Sequence, residues 1–294
     1  MVTRIRKHRP DIKITWIIGK IEHQLLKGMP GVEFIVYDKK GGKEAKEAVK
    51  QALAGRVFDA MFVMQVALRA NLLSRVVKAK RRIGFDWARS KEGHWLFTNE
   101  RIEAVKYAHV LEGFMGFADK LGIPKDDVLQ WDMPLDNEDK EWAKSQTESL
   151  GKYAVISPAA SKAERNWTVH GYVAAAQHLI QKGYKVVLCG GPGPLDLAIS
   201  EQIMQTPDII ALNLVGKTSL KQMLAVLADA SLVIAPDTGP AHMATTMGTP
   251  VIGLYAHSNF RRTGPYLSQE CVASVYDVQI KGQKGKEWVY LPWG

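Results

Sequence analysis

A short turn between two apolar runs has the residue types of a phosphate-binding site. Residues 232–235 and 251–255 are apolar runs of the kind that form strands buried on both faces. Between them stands Asp237-Thr238-Gly239-Pro240. The Asp or Thr can cap a helix, the Gly lets a ligand approach the backbone, and the Pro fits a first helical turn. The sequence therefore predicts a helix whose free N–H groups and positive dipole end face a phosphate.

A carboxylate and an imidazole accompany this predicted phosphate site. Asp237 would be out of place beside a phosphate unless it binds something else, such as sugar hydroxyls. His242 falls on the first turn of the helix, near the same ligand. Asp237 could instead be only a helix cap and His242 only a packed core histidine. The turn, the histidine and the two apolar runs together favour a site, in which Asp237 is catalytic. Ligand binding is expected from Thr238, Gly239, Pro240 and His242.

A second polar loop follows the apolar run at residues 153–157. It offers a hydroxyl at Ser161 and positive charge at Lys162 and Arg165. Ligands of open α/β sheets gather where strands run into such loops, and cations there can meet a diphosphate. We therefore expect Ser161 to bind the ligand and Arg165 to act in catalysis, although Arg165 could equally be an ordinary surface arginine.

Two glycine-containing turns are weaker signals. The turn at residues 190–194 could cradle a phosphate through Gly191, but its two prolines lack N–H donors and its spacing is not G-x-G-x-x-G. Gly216-Lys217-Thr218 matches only half of a P-loop, because the upstream glycine is missing. ATP hydrolysis is excluded on this ground.

The stretch DTGPAHMATTMGTPVIGLYAHSNFRRTGPY at residues 237–266 resembles the donor site of the family 9 glycosyltransferases. These are ADP-heptose:lipopolysaccharide heptosyltransferases, and the heptosyltransferase I-like members are the most similar. The resemblance covers nearly the whole chain, which looks short at both ends. It implies an α/β fold of the GT-B type, with two Rossmann-like domains whose parallel sheets face a cleft. It also implies transfer of heptose from ADP-heptose to the Kdo of the lipopolysaccharide inner core, with no metal or cofactor needed for the chemistry.

The resemblance also implies roles for individual residues. Arg165, two positions before Trp167, matches a basic residue of the family, although lysine is the usual residue there. Arg262 matches the arginine of Asn-x-x-Arg-(Thr/Ser)-Gly-Pro-Tyr, and would neutralise the leaving diphosphate or meet an acceptor phosphate. The turn at Gly191 would border the nucleoside. Asp196 would contact its ribose, or serve only as a charge at a helix start.

Apolar runs alternate with amphipathic stretches along the chain, which predicts open parallel sheets. Strands are expected at residues 12–18, 32–37 and 58–64, and a longer helix at 105–121. We place a domain boundary near residue 150. Residues 1–150 are then an acceptor-side domain, and residues 151–294 a domain that binds the nucleotide sugar.

The resemblance also predicts features at both ends of the chain. In the family, a strand and a Gly-Asp loop carrying the general base precede the first helix, whereas this sequence begins inside that helix. We therefore expect the first strand, the loop and the base to be missing. Trp288 and Trp293, near the other end, predict an exposed partner surface that is cut short.

Composition and charge limit the partners. With 46% hydrophobic and 23% charged residues and no apolar run of roughly 20 residues, we expect a soluble cytoplasmic protein. The two cysteines, far apart in sequence, indicate a reducing compartment. Residues 1–91 carry 21 Lys and Arg against 8 Asp and Glu. Such a basic excess suits an anionic partner, such as a phosphorylated glycolipid or the membrane face, although it could be only a solvated surface. The resemblance implies that the partner is an anionic glycolipid acceptor of the Kdo–lipid A type, with peripheral contact at the inner membrane. Nucleic acid is disfavoured, because the basic runs lack interleaved aromatic residues.

Two other functions remain open at this point. A shortened homologue could bind nucleotide without transferring sugar. A protein of the same architecture could instead be a sugar-nucleotide epimerase.

Overall fold

The computed structural model describes residues 1–291, and its chain divides into two compact units. Unit 1 contains Met1–Pro134, and unit 2 begins at Leu135 and takes in the rest of the described chain. The division lies before helix Asn137–Thr147, which packs against helix Leu220–Asp229 of unit 2. The boundary expected near residue 150 lies after that helix. The acceptor-side and donor-side roles of the two units stay predictions.

Unit 1 alternates short strands and helices. Its strands are β1 (Ile14–Gly19), β2 (Val32–Tyr37), β3 (Phe58–Phe62), β4 (Ala79–Gly84) and β5 (Glu100–Arg101). Its helices are α1 (Val2–His8), α2 (Lys20–Leu26), α3 (Gly42–Ala52), α4 (Leu68–Ser74) and α5 (Val110–Lys120), with a 3₁₀ turn at His94–Phe97.

The strands of unit 1 form two parallel sheets, β1-β2 and β3-β4-β5. The same helices cover both sheets. A buried cluster that contains Val49 of α3 and Leu53, the residue just after α3, packs against Ile17 of β1 and Phe58 of β3. A second cluster, containing Ile5 of α1, packs against side chains from β1 and β3 as well. Apolar burial thus joins β1 and β3, although no backbone hydrogen bond is found between these two strands in the part of the chain described.

Unit 2 is built around one parallel sheet. Its strands are β6 (Tyr153–Ile156), β7 (Lys185–Leu188), β8 (Ala211–Asn213), β9 (Leu232–Pro236), β10 (Val251–Tyr255) and β11 (Ala273–Ser274). Its helices are α6 (Asn137–Thr147), α7 (Val169–Gln181), α8 (Pro194–Met204), α9 (Leu220–Asp229), α10 (Gly239–Thr246), α11 (Phe260–Thr263) and α12 (Tyr276–Lys284). Short 3₁₀ turns lie at Glu148–Leu150, Ala163–Arg165, Gln269–Cys271 and Trp288–Tyr290.

The strand order of unit 2 decides where a ligand can bind. The order is β11-β10-β9-β6-β7-β8, so the chain leaves β6 toward β7 on one side and returns to β9 on the other. In an open parallel sheet, ligands bind at such a reversal of strand order, outside the carboxyl ends of the strands. The loops after β6 and β9 meet there. The α/β architecture with parallel sheets, expected from the sequence, is confirmed.

Several local expectations differ from the structure. The helix expected from residue 105 begins at Val110, because Tyr107 has a left-handed φ of 58° and His109 caps the helix. Helix α12 was missed, because its sequence YDVQIKGQK is mostly polar. Trp288 is half-buried, with the Arg261 guanidinium 4.5 Å from its ring centroid. Trp293 lies outside the described residues.

The two cysteines have opposite surroundings. Cys189 follows β7 directly and is fully buried, and this burial raises the pKa of its thiol to about 12. Cys271 is exposed at the end of a 3₁₀ turn, and both thiols are free.

Within residues 1–291, no helix is both long enough and apolar enough to cross a bilayer.

Candidate active site

The start of α10 is open to a ligand. Thr238 is the N-cap residue of α10, and its side chain makes no capping hydrogen bond to the first turn. A Cβ placed on Gly239 would have no atom of the described chain within 4 Å, apart from its neighbours in sequence. Pro240, which lacks an N–H, occupies the first turn, where that group would have no helical partner. The exposed Gly239 thus leaves room for a ligand at the first turn, as anion binding at a helix N-terminus requires.

Asp237 lies beside this helix start with two basic side chains next to its carboxylate. Arg165 Nη1 is 3.5 Å from Asp237 Oδ2, and His242 Nε2 is 3.7 Å from Oδ1. Both distances exceed that of a short charge-assisted bond, such as the 2.7 Å between Arg89 and Asp86. The carboxylate is only 15% exposed, yet its oxygens are not taken up by tight ion pairs.

The surroundings keep Asp237 ionised. Burial alone would raise the pKa of its carboxyl group, but interactions with His242 and Ser258 and the positive charge of Arg165 outweigh burial and lower the pKa below its ordinary value. Tyr255, at the end of β10, is buried close to this charge. Burial and the Asp237 carboxylate both raise the pKa of its phenol, which therefore stays protonated.

The loop after β6 carries Arg165 to this position. Strands β6 and β9 are neighbours, and Ser157 N, just beyond β6, donates to Ile234 O of β9 at 2.9 Å. Farther along the loop, Asn166 Oδ1 accepts from Ala160 N at 2.6 Å, which fixes the turn that contains Arg165. Arg165 is about two-thirds buried, and its Nε is a buried donor with no partner among the described residues.

Other buried polar atoms at the same edge of the sheet also lack partners in the described chain. They are Ser157 Oγ and Asn166 Nδ2 after β6, and Thr218 Oγ1 after β8. Buried polar groups are nearly always hydrogen-bonded in native proteins. A polar ligand along this edge would supply the missing bonds.

The turn containing Gly191 is organised by Asp196. Gly191 N donates to Asp196 Oδ1 at 3.0 Å, and a Cβ on Gly190 or Gly193 would come within 2.9 Å of the same carboxylate. Burial raises the pKa of Asp196, and the hydrogen bond from Gly191 offsets this only in part. The turn follows β7, two strand spacings or roughly 10 Å from the end of β9. Contact of Asp196 with a ribose stays a prediction.

The remaining predicted residues lie on neighbouring loops. Ser161 is exposed on the loop after β6. Arg262 is half-buried in α11, a short helix capped by Asn259, whose Oδ1 accepts from Arg261 N at 3.2 Å. Arg261 itself makes a bidentate pair with Asp277 at 2.9 and 2.8 Å. The structure thus brings Arg165, Asp237 and His242 together at the start of α10, while the predicted roles of all the site residues stay untested.

Sequence reasoning missed Ser258, which interacts with Asp237, and the buried hydroxyl of Ser157. It identified Thr218 only as part of an incomplete P-loop. Ser258 follows β10, the neighbour of β9 in the sheet. The apolar runs before Asp237 and Ser258 were visible in the sequence, but their pairing was needed to place the two side chains side by side.

Within the described chain, no group of three His, Cys, Asp or Glu side chains is arranged to hold a metal ion.

Comparison with known proteins identifies the family. The model of glycosyltransferase family 9 (heptosyltransferase) matches residues 47–293. The chain belongs to glycosyltransferase family 9. This family 9 glycosyltransferase is 41% identical over 293 residues to the lipopolysaccharide core heptosyltransferase OpsX of Haemophilus influenzae, covering 100% of this chain and 84% of that protein.

Solved structures show the same fold for this family 9 glycosyltransferase. A family 9 glycosyl transferase from Veillonella parvula superposes with a TM-score of 0.80 at 21% identity, covering 97% of this chain and 84% of that one. E. coli heptosyltransferase WaaC with ADP superposes with a TM-score of 0.75 at 22% identity, covering 93% and 86%. The GT-B fold expected from the sequence is confirmed.

Proposed function

We propose that this glycosyltransferase transfers heptose from ADP-heptose to the Kdo region of the lipopolysaccharide inner core. The observation that carries the proposal is the Asp237 carboxylate, held between two basic side chains at the open N-terminus of α10. A helix N-terminus attracts phosphate, whereas a carboxylate attracts hydroxyl groups. A nucleotide sugar presents both groups a few ångströms apart.

The diphosphate of the donor would lie against the first turn of α10. There it would accept from the amides near Thr238 and Gly239, and from Arg165, whose Nε is an unused buried donor. Negative charge grows on the leaving ADP as the glycosidic bond breaks. Fixed amide dipoles and a held guanidinium stabilise that charge without reorganising, which lowers the barrier. His242, Pro240 and Arg262 would complete the pocket.

Asp237 would accept hydrogen bonds from hydroxyl groups of the heptose. Its lowered pKa makes it a weak general base near neutral pH, so we do not assign it proton abstraction from the acceptor. Its loose contacts of 3.5 and 3.7 Å leave lone pairs to accept hydrogen bonds from the sugar. The adenosine would extend toward the turn of Gly191 and Asp196.

We assign the donor to unit 2 and the acceptor to the basic unit 1. The acceptor is an anionic glycolipid of the Kdo–lipid A type, so the enzyme would act in the cytoplasm as a peripheral protein on the inner membrane. The excess of Lys and Arg in residues 1–91 supports this assignment, because it favours a negatively charged surface.

The test replaces Asp237 and measures heptose transfer from ADP-heptose to a Kdo-terminated acceptor. Asp237→Ala should lower kcat/KM by about 10²-fold or more, because hydrogen bonds made to a charged group in the transition state are lost. Asp237→Asn keeps the shape of the side chain, so its loss of turnover measures the contribution of the negative charge alone. Glu201→Ala removes an exposed carboxylate from α8 and should leave turnover unchanged. Near-normal turnover in Asp237→Ala would refute the role of this residue.

The same preparation distinguishes the two alternative functions. Calorimetric binding of ADP without any transfer would indicate a protein that only binds nucleotide. Release of a free epimerised sugar without acceptor would indicate an epimerase.

A further inference from the structure

Unit 1 presents an exposed apolar surface, which we call the indole patch. It consists of Leu68, Leu72, Trp87, Trp95 and Leu96. Trp87 is 64% exposed, Trp95 41% and Leu96 71%. Isolated apolar side chains are common on protein surfaces, but these five lie on two elements that pack together and on the loop between them, and the two indoles are neighbours, which marks an interaction site.

The Trp87 end of the patch is held rigidly. Trp87 follows the buried Asp86, whose Oδ1 accepts from Ala88 N at 2.9 Å and so fixes the turn. The guanidinium of Arg101 stacks over the Trp87 ring, 4.0 Å from its centroid. The ring of Trp95 lies 6.0 Å from that of Trp87. A surface held in this way loses little conformational entropy when it binds.

A buried histidine joins the two indoles to helix α4. His94 Nδ1 donates to Asn71 Oδ1 at 2.8 Å, and His94 Nε2 accepts from Phe85 N at 3.1 Å. This arrangement requires the neutral ring, and burial lowers the pKa of His94 accordingly. Asn71 lies on α4, between Leu68 and Leu72. The turn carrying Trp95 and Leu96 is therefore fixed against the helix that carries the two leucines.

The chain segment that carries the patch is basic. Residues 68–107 contain ten Lys and Arg and four Asp and Glu, a net charge of +6. Four of the cations nearest in sequence are exposed: Arg69, Arg75, Lys91 and Lys106. Indole rings partition to the headgroup level of bilayers, and nearby cations attract anionic lipids. A protein partner of the patch would need a strongly acidic rim, whereas an anionic bilayer supplies both properties at once.

We propose that the indole patch docks unit 1 onto an anionic phospholipid bilayer, with Trp87 and Trp95 at headgroup depth and the cations of the same segment on the lipid phosphates. The inference rests on the proposed function, in which the acceptor sugar is attached to a membrane lipid. It adds to that function the surface that contacts the membrane.

The test compares binding of the full chain to vesicles. The probes are vesicles of phosphatidylglycerol with phosphatidylethanolamine, and vesicles of phosphatidylcholine alone. Wild type should sediment with the anionic vesicles and lose this binding at high salt, and lipids brominated near the headgroup should quench its tryptophan fluorescence. Trp95→Ser with Leu96→Ser should weaken the partition coefficient at least about 10-fold, because two exposed apolar groups no longer insert.

Matched controls separate lost insertion from lost folding. Ile210→Ser and Val278→Ser remove side chains of unit 2 that are 84% and 73% exposed, and should leave vesicle binding unchanged. Leu68→Ser with Leu72→Ser tests the patch from a different element. Far-UV circular dichroism and ADP binding verify that each variant is folded.

Transfer to a delipidated, water-soluble Kdo acceptor distinguishes the two proposals. Patch variants that lose vesicle binding but keep this transfer support the docking surface. Equal vesicle binding by wild type and both patch variants would overturn the docking surface. Sedimentation that shows wild type as a dimer and the patch variants as monomers would overturn it too, because the patch would then be covered by a second copy of the chain. Vesicle binding through the patch without any heptose transfer would overturn only the proposed function.

Discussion

At the scale of single residues, this chain uses arginine–aspartate pairs in two ways. Arg261 and Asp277 make two hydrogen bonds of 2.9 and 2.8 Å, so each group has little capacity left to hydrogen-bond a ligand. Arg165 and Asp237 lie 3.5 Å apart, and the Nε of Arg165 has no partner in the described chain. The looser pair lies at the reversal of strand order, where parallel sheets bind ligands.

Replacing Arg165 should weaken nucleotide binding more than it weakens folding. Arg165→Ala should raise the Kd for ADP about 10- to 100-fold, because charge-assisted hydrogen bonds to the diphosphate are lost. Arg165→Lys should recover part of the affinity, since lysine keeps the charge but not the planar set of donors. Titration calorimetry measures both effects.

Lys185→Ala is the control for the charge alone, because Lys185 begins β7 at the opposite edge of the sheet. A Kd for ADP that is equal in Arg165→Ala and wild type would show that the nucleotide does not contact this loop.

At the scale of elements, Arg56 connects the two sheets of unit 1. Its guanidinium donates to both oxygens of Glu33 on β2, at 2.9 and 2.6 Å, and to Thr15 Oγ1 on β1 at 2.8 Å. The same group lies 5.1 Å from the ring centroid of Phe58 on β3. These contacts lower the pKa of Glu33 to about 2, with the Arg56 hydrogen bonds first among the causes and the Thr15 hydrogen bond second.

Arg56→Ala should change how the stability of the protein depends on pH. The pKa of Glu33 is lower in the folded state than its ordinary 4.5, so ionised Glu33 stabilises the fold above about pH 4.5. That stabilisation is lost as the pH falls toward 2. The free energy of unfolding of Arg56→Ala should therefore lie below that of wild type at neutral pH and approach it in acid, as measured by urea titration.

The control is Lys50→Ala, which removes an ion pair lying within the single helix α3. Hydrogen exchange should localise the effect of Arg56→Ala to the amides of β1 and β2. A stability difference between Arg56→Ala and wild type that is the same at all pH values would contradict this account.

Local chemistry explains which elements the sequence could predict. Val32–Tyr37 and Val251–Tyr255 are observed at their predicted bounds, because apolar runs between turn residues have few alternatives. The predicted start of the helix at residue 105 was wrong, because the helix is capped by the imidazole of His109 and histidine is an unusual cap residue. Asp237 and His242 were identified because one turn carries both. Ser258 was not, because it reaches Asp237 only through the pairing of β9 with β10.

At the scale of the whole molecule, the two units differ in how well their strands are buried. In unit 2, β6 is buried along its entire length and β9 along all but one residue. In unit 1, β1 has a single buried residue and β3 has none. Since apolar burial is the main favourable term in folding, unit 1 has the smaller reserve of stability.

We therefore expect two transitions in scanning calorimetry, with unit 1 unfolding at the lower temperature. ADP should raise the temperature of only the upper transition, because it binds unit 2 in the proposed site. At an ADP concentration about 100 times its Kd, the free energy of unfolding of unit 2 should increase by about 2.7 kcal/mol. Adenosine, which lacks the diphosphate, should shift this transition much less. An ADP-induced rise of the lower transition would place the nucleotide in unit 1.

The contrast between the two cysteines allows the native protein to be labelled at a single site. A thiol reacts with maleimides through its thiolate, which the buried Cys189 cannot form at neutral pH. Cys271 is exposed, so a fluorophore will attach to one defined place without any engineered substitution. The native chain should take up one dye, and the chain unfolded in urea should take up two. This difference would show that the core around β7 excludes the reagent in the folded state.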